Sequence, residues 1–142
     1  MSTPTTSPAA DLEAGAVLET QTYAITRADL VRYAGASGDR NPIHWSDRVA
    51  TAVGLPGVIA HGMVTLALTA RAVAAWTDGA EVVDLAAKFT NPVLVPDDDT
   101  GATLVVAGTV KKVEDGLATL ALEVTCEGVK VLGAPKAVVR VG

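Results

Sequence analysis

From Gly62 to Trp76 the chain carries a single charged residue, Arg71, and only Thr65 and Thr69 add polarity to an otherwise apolar run. A stretch of this length without proline or internal glycine reads as a helix, and one that is apolar nearly all round has no face to offer water. It belongs in the middle of a protein, wrapped by other elements. The run is too short and too often interrupted to span a bilayer. What wraps it must come largely from the sequence that follows.

Everything after Asp78 reads as strand. Glu81 to Thr90 is one, and Thr103 to Glu114, rich in Val, is a second. Asp115-Gly116 is a strong two-residue hairpin signal. Leu117 to Glu127 then alternates, with Leu117, Thr119, Ala121, Glu123 and Thr125 on one face and Ala118, Leu120, Leu122, Val124 and Cys126 on the other. Gly128 turns the chain into Val129 to Val141, where Pro135 implies an edge or a bulge. Val17 to Ile25 shows partial alternation. One buried helix followed by a long antiparallel meander is an α+β plan, and a sheet curled around a single apolar helix is the hot-dog fold.

At 142 residues the chain is one domain, with a core of useful size. That domain is expected over 12–142. Residues 1–11 are rich in Ser, Thr and Pro and read as a flexible tail, lacking the basic start and apolar run of a signal peptide. With 49% hydrophobic and 19% charged residues, disorder of the whole chain is excluded. Aromatics make up only 4%, so the core is built of small aliphatics, which suits a smooth cavity for an acyl chain. A net charge of -5 without a basic cluster argues against nucleic acid and gives no attraction to anionic lipid. The expected location is the cytoplasm. Cys126 is alone and reads as a core thiol, since a single cysteine makes neither an internal disulfide nor a zinc cluster. Asp97-Asp98-Asp99 reads as a solvated turn without the spacing of a calcium loop.

The chemistry concentrates earlier in the chain. Thr26 is a good N-cap with Asp29 three residues on, and Leu30, Val31, Tyr33 and Ala34 give the helix to about Ala36 an apolar face. That helix delivers the chain into Gly38-Asp39. Asp39 and His44 flank Asn41-Pro42, residues that favour a bent, fixed backbone over a helix or a strand. Such a bend turns an acid and an imidazole toward one point, as acid–base chemistry needs. A short helix follows, with Ser46 as N-cap and its stop at Gly54. Leu55-Pro56-Gly57 is a loop. The apolar helix then opens at His61-Gly62, and a helix start offers free N–H groups to a developing oxyanion. His61 itself bonds backbone or packs under the site. A metal site of Asp39, His44 and His61 lacks a recognised zinc spacing. Trp45 and Trp76 are expected as core or interface anchors. Arg71, on a buried helix, needs a carboxylate partner or a route to solvent.

Taken together, Gly38-Asp39-Arg40-Asn41-Pro42-Ile43-His44 followed by Ala60-His61-Gly62-Met63 resembles the MaoC-like or hydratase 2 family. These are hot-dog (R)-specific enoyl thioester hydratases and 3-hydroxyacyl thioester dehydratases. Within the family, Asn41 to Trp45 and the stretch from Val53 to Met63 are most similar to the B subunits of actinobacterial (3R)-hydroxyacyl-acyl carrier protein dehydratases. The similarity runs from about Val17 to Val141. The resemblance implies a catalytic dyad at Asp39 and His44, with the backbone N–H of Gly62 as oxyanion donor. Asn41 falls on the motif asparagine and shapes the loop. Some members carry a serine hydroxyl about two turns into the central helix, where this chain reads Thr65-Leu66-Ala67.

The implied reaction is reversible syn dehydration of (3R)-hydroxyacyl thioesters to trans-2-enoyl thioesters in fatty-acyl metabolism. The substrate rides on acyl carrier protein or coenzyme A, and no metal or organic cofactor is implied. By the same resemblance the chain pairs as a homodimer or with a related hot-dog subunit. Two other functions use the same fold: an acyl thioesterase, which releases free thiol, and a non-catalytic acyl-binding or assembly subunit. Companions of the latter kind usually lack the dyad that stands complete here.

Overall fold

A computed structural model of the protein describes residues 12–141, so the expected tail over 1–11 lies outside the described residues. The chain opens with β1 (Val17–Ile25) and passes directly into α1 (Arg27–Ser37). The hydroxyl of Thr26 accepts from the N–H of Asp29, and the Asp29 carboxylate accepts from the N–H of Thr26 at 2.9 Å, the reciprocal cap expected there. This bond and the Arg32 guanidinium hold the Asp29 carboxyl below its usual range. Gly38 ends the helix in the left-handed conformation, at φ 81°, which the absence of a Cβ permits.

The expected bent loop contains more order than its composition suggested. Pro42–His44 form one 3-10 turn, capped by the Asn41 side chain, which accepts from the N–H of Ile43. Proline supplies a preset φ at the first position of that turn. Ser46 then caps α2 (Asp47–Ala52), and Gly54 follows its end. The loop after it is pinned by Asp47, whose carboxylate accepts from the N–H of Val58 at 3.1 Å and from Arg27 at 3.0 Å. The Arg27 guanidinium, then the Val58 N–H, hold the Asp47 carboxyl low.

The apolar helix is α3 (Gly62–Thr77), and it leads to β2 (Val82–Phe89), β3 (Ala102–Glu114), β4 (Leu117–Cys126), the short β5 (Val129–Lys130) and β6 (Leu132–Arg140). The Asp115-Gly116 hairpin forms with both residues at positive φ, 55° and 75°. The alternation in β4 holds: Ala118, Leu120, Leu122, Val124 and Cys126 are all buried. Burial raises the pKa of the Cys126 thiol, as befits a core residue.

The sheet order is β1-β3-β4-β6-β2, so the strands are not a simple meander. β2 crosses to the far edge and pairs antiparallel with β6, because the hairpin of β3 and β4 takes the centre. The expected single strand from Val129 breaks at Val131. Pro135 sits at a bulge in an interior strand: the register shifts opposite it, between Ala86 and Lys88, and Ala134 has a φ of 46°. Asp97 to Thr100 form bends, with the Asp98 carboxylate accepting from the N–H groups of Thr100 and Gly101.

The core lies between the inner face of the sheet and one side of α3. Trp76 is fully buried, donates its indole N–H to the Glu19 carbonyl at 2.6 Å, and packs against Gly108 of β3. The sheet wraps α3 on one side only. Met63, Ala67, Arg71, Ala74 and Ala75 form an exposed face of α3, since a single curved sheet covers only one side of a helix. Arg71 reaches solvent along that face and lies 5.1 Å above the Tyr23 ring, with no carboxylate partner among the described residues. Trp45, by contrast with Trp76, is half exposed and donates to the Arg40 carbonyl. No helix of the described residues is long and apolar enough to cross a membrane.

Candidate active site

The segment Val58 to Gly62 organises the site. Its backbone pairs on one side with the stretch Val93 to Val95, through Ala60 N–H to the Val93 carbonyl at 2.9 Å and Val95 N–H to the Val58 carbonyl at 3.0 Å. On the other side it takes hold of the 3-10 turn. The Ile59 N–H donates to the Ile43 carbonyl at 3.2 Å, and the Ile59 carbonyl accepts from Nδ1 of His44 at 2.7 Å.

That last contact decides how His44 is built. A carbonyl only accepts, so Nδ1 carries the hydrogen and Nε2 of the neutral ring is left with its lone pair. His44 is buried yet lines the pocket, so the free nitrogen is the one available to a bound molecule. His61, two residues after Ile59, has the opposite arrangement. Its Nε2 donates to the backbone carbonyl of Asp39 at 3.1 Å, and its Nδ1 is buried without a partner. The two imidazoles stack at 3.8 Å, and the edge of Tyr33 meets His61 at 4.7 Å. Burial pushes the pKa of His61 below its ordinary value, and the neighbouring His44 adds to this, against opposing contributions from the Asp39 carbonyl and carboxylate.

Asp39 is exposed at the pocket rim, and its carboxylate accepts from the N–H of Asn41 at 3.2 Å. The fold thus brings Asp39, His44, His61 and Gly62 to one pocket, while Asn41 caps the turn that carries His44 without lining it. A carboxylate oxygen of Asp39 and a ring nitrogen of each histidine lie within 4.8 Å of one another. Among the described residues this trio is also the cluster with ligand atoms close enough together to hold a metal ion. The stack is ill suited to it, however: near-parallel rings send their lone pairs side by side, whereas a tetrahedral ion needs them to converge. A carboxylate, a base with one free nitrogen and a helix start are the parts of an acid–base site.

Gly62 is the first residue of α3, and no side chain caps that helix. Its N–H and the positive end of the helix therefore face the pocket. The pocket has a volume of about 440 Å³, within the range of small-molecule sites. Its far wall had no signal in the sequence. It consists of Phe89 and the residues to Val93, with Val131 behind. Thr90 donates its N–H to the Val131 carbonyl, and Asn91 donates its amide to the Lys130 carbonyl, so this wall is anchored to the β5 turn. Thr65, one turn into α3, also lines the pocket and is buried. Sequence reasoning noticed that position only as the place of a missing serine. Its spacing of three from Gly62 was the available clue.

The MaoC-like domain model matches residues 10–131 of the chain. Among curated proteins, 3-hydroxyacyl-thioester dehydratase X of Mycobacterium tuberculosis is 43% identical over 72 residues, which is 51% of this chain and 25% of that protein. A solved MaoC-like dehydratase superposes with a TM-score of 0.89 at 34% identity, covering 98% of this chain and 43% of the other. An unliganded R-hydratase of Pseudomonas aeruginosa superposes with a TM-score of 0.78 at 29% identity, covering 94% of this chain and 84% of that one. The hot-dog fold expected from the strand pattern is the fold of these proteins. The chain spans a quarter of the curated dehydratase and less than half of the solved one.

Proposed function

Because this chain belongs to the MaoC-like domain family, we propose that it catalyses reversible syn dehydration of (3R)-hydroxyacyl thioesters, with Asp39 and His44 as the acid–base pair. The observation that carries this reading is the Nδ1 bond of His44 to the Ile59 carbonyl, which leaves Nε2 as the free ring nitrogen in a cluster where an Asp39 carboxylate oxygen and a ring nitrogen of each histidine lie within 4.8 Å. In dehydration, Nε2 takes the proton from the carbon next to the thioester carbonyl. The resulting enolate charge is held by the Gly62 N–H and the helix end. The C–O bond then breaks as the imidazolium returns its proton, on the same face, to the departing hydroxyl. Asp39 accepts a hydrogen bond from that hydroxyl and orients it. Water leaves and the protein ends in its starting protonation state; hydration is the same path reversed.

Asn41 supports the dyad by capping the turn that carries His44. The substrate is carried on acyl carrier protein or coenzyme A, and the expected setting is cytoplasmic fatty-acyl metabolism. The same reading includes a partner. β2 is an edge strand with Val82, Val83 and Phe89 exposed, and the open face of α3 adds Met63 and three alanines. An apolar edge beside an apolar face suits a second hot-dog subunit, either a copy or a related chain.

The test is loss of absorbance at the enoyl thioester band with crotonyl and longer 2-enoyl-coenzyme A. Wild type, Asp39→Asn and His44→Ala are compared, alone and with any co-purifying subunit. Wild type hydrates, and each variant loses at least about two decades of rate. Thiol release that persists in the variants makes the protein a thioesterase. Inactivity on every chain length, with the partner present, makes it a binding subunit.

A further inference from the structure

The chain has two histidines, and the fold lays one on the other. We propose that His61 is a positioning residue for the reaction proposed above: fixed as its Nε2–H tautomer, it holds Asp39 in place and gives His44 an uncharged ring to rest on. The inference rests on that reading of the dyad and extends it to a third side chain.

Three observations carry it. First, Asp39 is held locally by Ser37 and Asn41, whose bonds to it span two residues each. The bond from His61 to the Asp39 carbonyl spans 22 residues and ties the Asp39 loop to the start of α3. Without it the carboxylate is free to drift relative to Gly62, whose N–H begins that same helix. Second, Nδ1 of His61 is buried and has no hydrogen-bond partner among the described residues. A proton placed there gains no partner, so the ring stays neutral while Nε2–H remains bonded. Third, the face-to-face stack at 3.8 Å tolerates one positive charge and not two. The groups that face His61 are Tyr33 from α1, Asp39 from the loop and His44 from the 3-10 turn. His44, which has the open nitrogen, is therefore the ring of the pair placed to take and return a proton. Burial, which holds His61 below its ordinary pKa, acts in the same direction.

Long-range proton–nitrogen NMR of the two imidazoles, in the full chain from about pH 5 to 8, reads this directly. With only two histidines, a His61→Gln variant assigns both spectra. The expected result is one ring that stays a neutral Nε2–H tautomer across the range and vanishes in the variant. Kinetics on a 2-enoyl-coenzyme A give the second reading. Gln keeps an N–H donor for the Asp39 carbonyl, whereas His61→Phe keeps a flat ring and loses the donor. His61→Phe is expected to lose roughly 10- to 100-fold in kcat with KM little changed, and His61→Gln markedly less. An Nδ1–H tautomer, protonation of both rings together, or full kcat in a folded His61→Phe overturns the proposal. Should that variant fail to fold, the wild-type spectrum still decides the tautomer. A wild type with the expected tautomer but inert on every enoyl thioester instead overturns the dehydratase reading and, with it, any catalytic purpose for the stack.

Discussion

The imidazole of His44 lies face to face on that of His61, with ring centroids 3.8 Å apart and planes inclined by 22°. The contact follows from the backbone. Ile59 donates to Ile43 and accepts from the His44 ring, which registers the 3-10 turn against the segment leading into α3. Two residues further, His61 falls beneath the ring so placed. The four residues Ile59 to Gly62 thus supply the acceptor for the His44 ring, the donor to the Asp39 backbone, and the N–H that opens α3. A site assembled on one short segment keeps its parts in register when the rest of the molecule flexes.

Burial of His61 in its neutral form makes stability depend on pH. Its pKa in the folded protein lies below the unfolded value of about 6.5, so between the two values the unfolded chain binds more protons. The stabilisation is complete above the unfolded value and is lost as pH falls toward the folded one. The slope cannot exceed about 1.4 kcal/mol per pH unit for one proton. His61→Gln has no such titration. Urea unfolding of both proteins at several values between about pH 5 and 7.5 should show wild type losing ground to the variant as the solution is acidified. That window lies above the carboxyls of Asp29 and Asp47, both held low, so they stay ionised throughout. Parallel curves would mean that His61 titrates alike in both states.

Two glycines with the same backbone angle separate conformational strain from collision. Gly101 and Gly116 have φ of 73° and 75°. A Cβ on Gly101 would stand 2.2 Å from the Ile25 carbonyl oxygen, whereas one on Gly116 meets nothing within 4 Å. Gly116→Ala should cost about 1 kcal/mol for the left-handed residue alone. Gly101→Ala must in addition move the junction of β1 and α1, and should cost more than about 2 kcal/mol. Equal costs in denaturant melts would show that this junction yields easily.

What the sequence made legible was local. The cap at Thr26, the hairpin at Asp115-Gly116 and the alternation of β4 each depend on residues within a few positions of one another, so neighbours alone declare them. The loop from Gly38 to His44 was readable for the same reason, although its 3-10 turn was not foreseen: Asn41 acting as cap turns a bend into ordered structure. Strand order was not legible, because β2 pairs with β6 over a long separation in sequence, with β3, β4 and β5 between them, and either free edge of the sheet satisfies its pattern. The open face of α3 follows from the single sheet, which covers only one side of an apolar helix.

The far wall of the pocket is the clearest loss. Phe89 and Thr90 close the strand expected from Glu81, Asn91 to Val93 have ordinary loop composition, and nothing in their spacing points to a site. They line the pocket only because Val93 pairs with Ala60, a contact that exists once β2 has crossed the sheet.

That wall gives the last prediction. Gly62 is the oxyanion donor in the proposed reaction, and the space a Cβ would fill there is bounded by the ring of Phe89, with two ring carbons at 3.0 Å. Phe89 is 59% exposed, so its ring has solvent to move into and Gly62→Ala should fold. The displaced ring and the new methyl crowd the N–H proposed to hold the oxyanion, and kcat/KM should fall roughly 10- to 100-fold. Phe89→Leu alone should change kcat/KM by less than about 5-fold, since Leu still closes the wall. Combining Gly62→Ala with Phe89→Leu relieves the crowding and should recover at least about 5-fold of the loss, a non-additivity expected of residues in contact. A double variant as poor as Gly62→Ala itself would place the obstruction between the methyl and the substrate. The glycine would then be required by the thioester carbonyl itself, and Phe89 would be wall and nothing more.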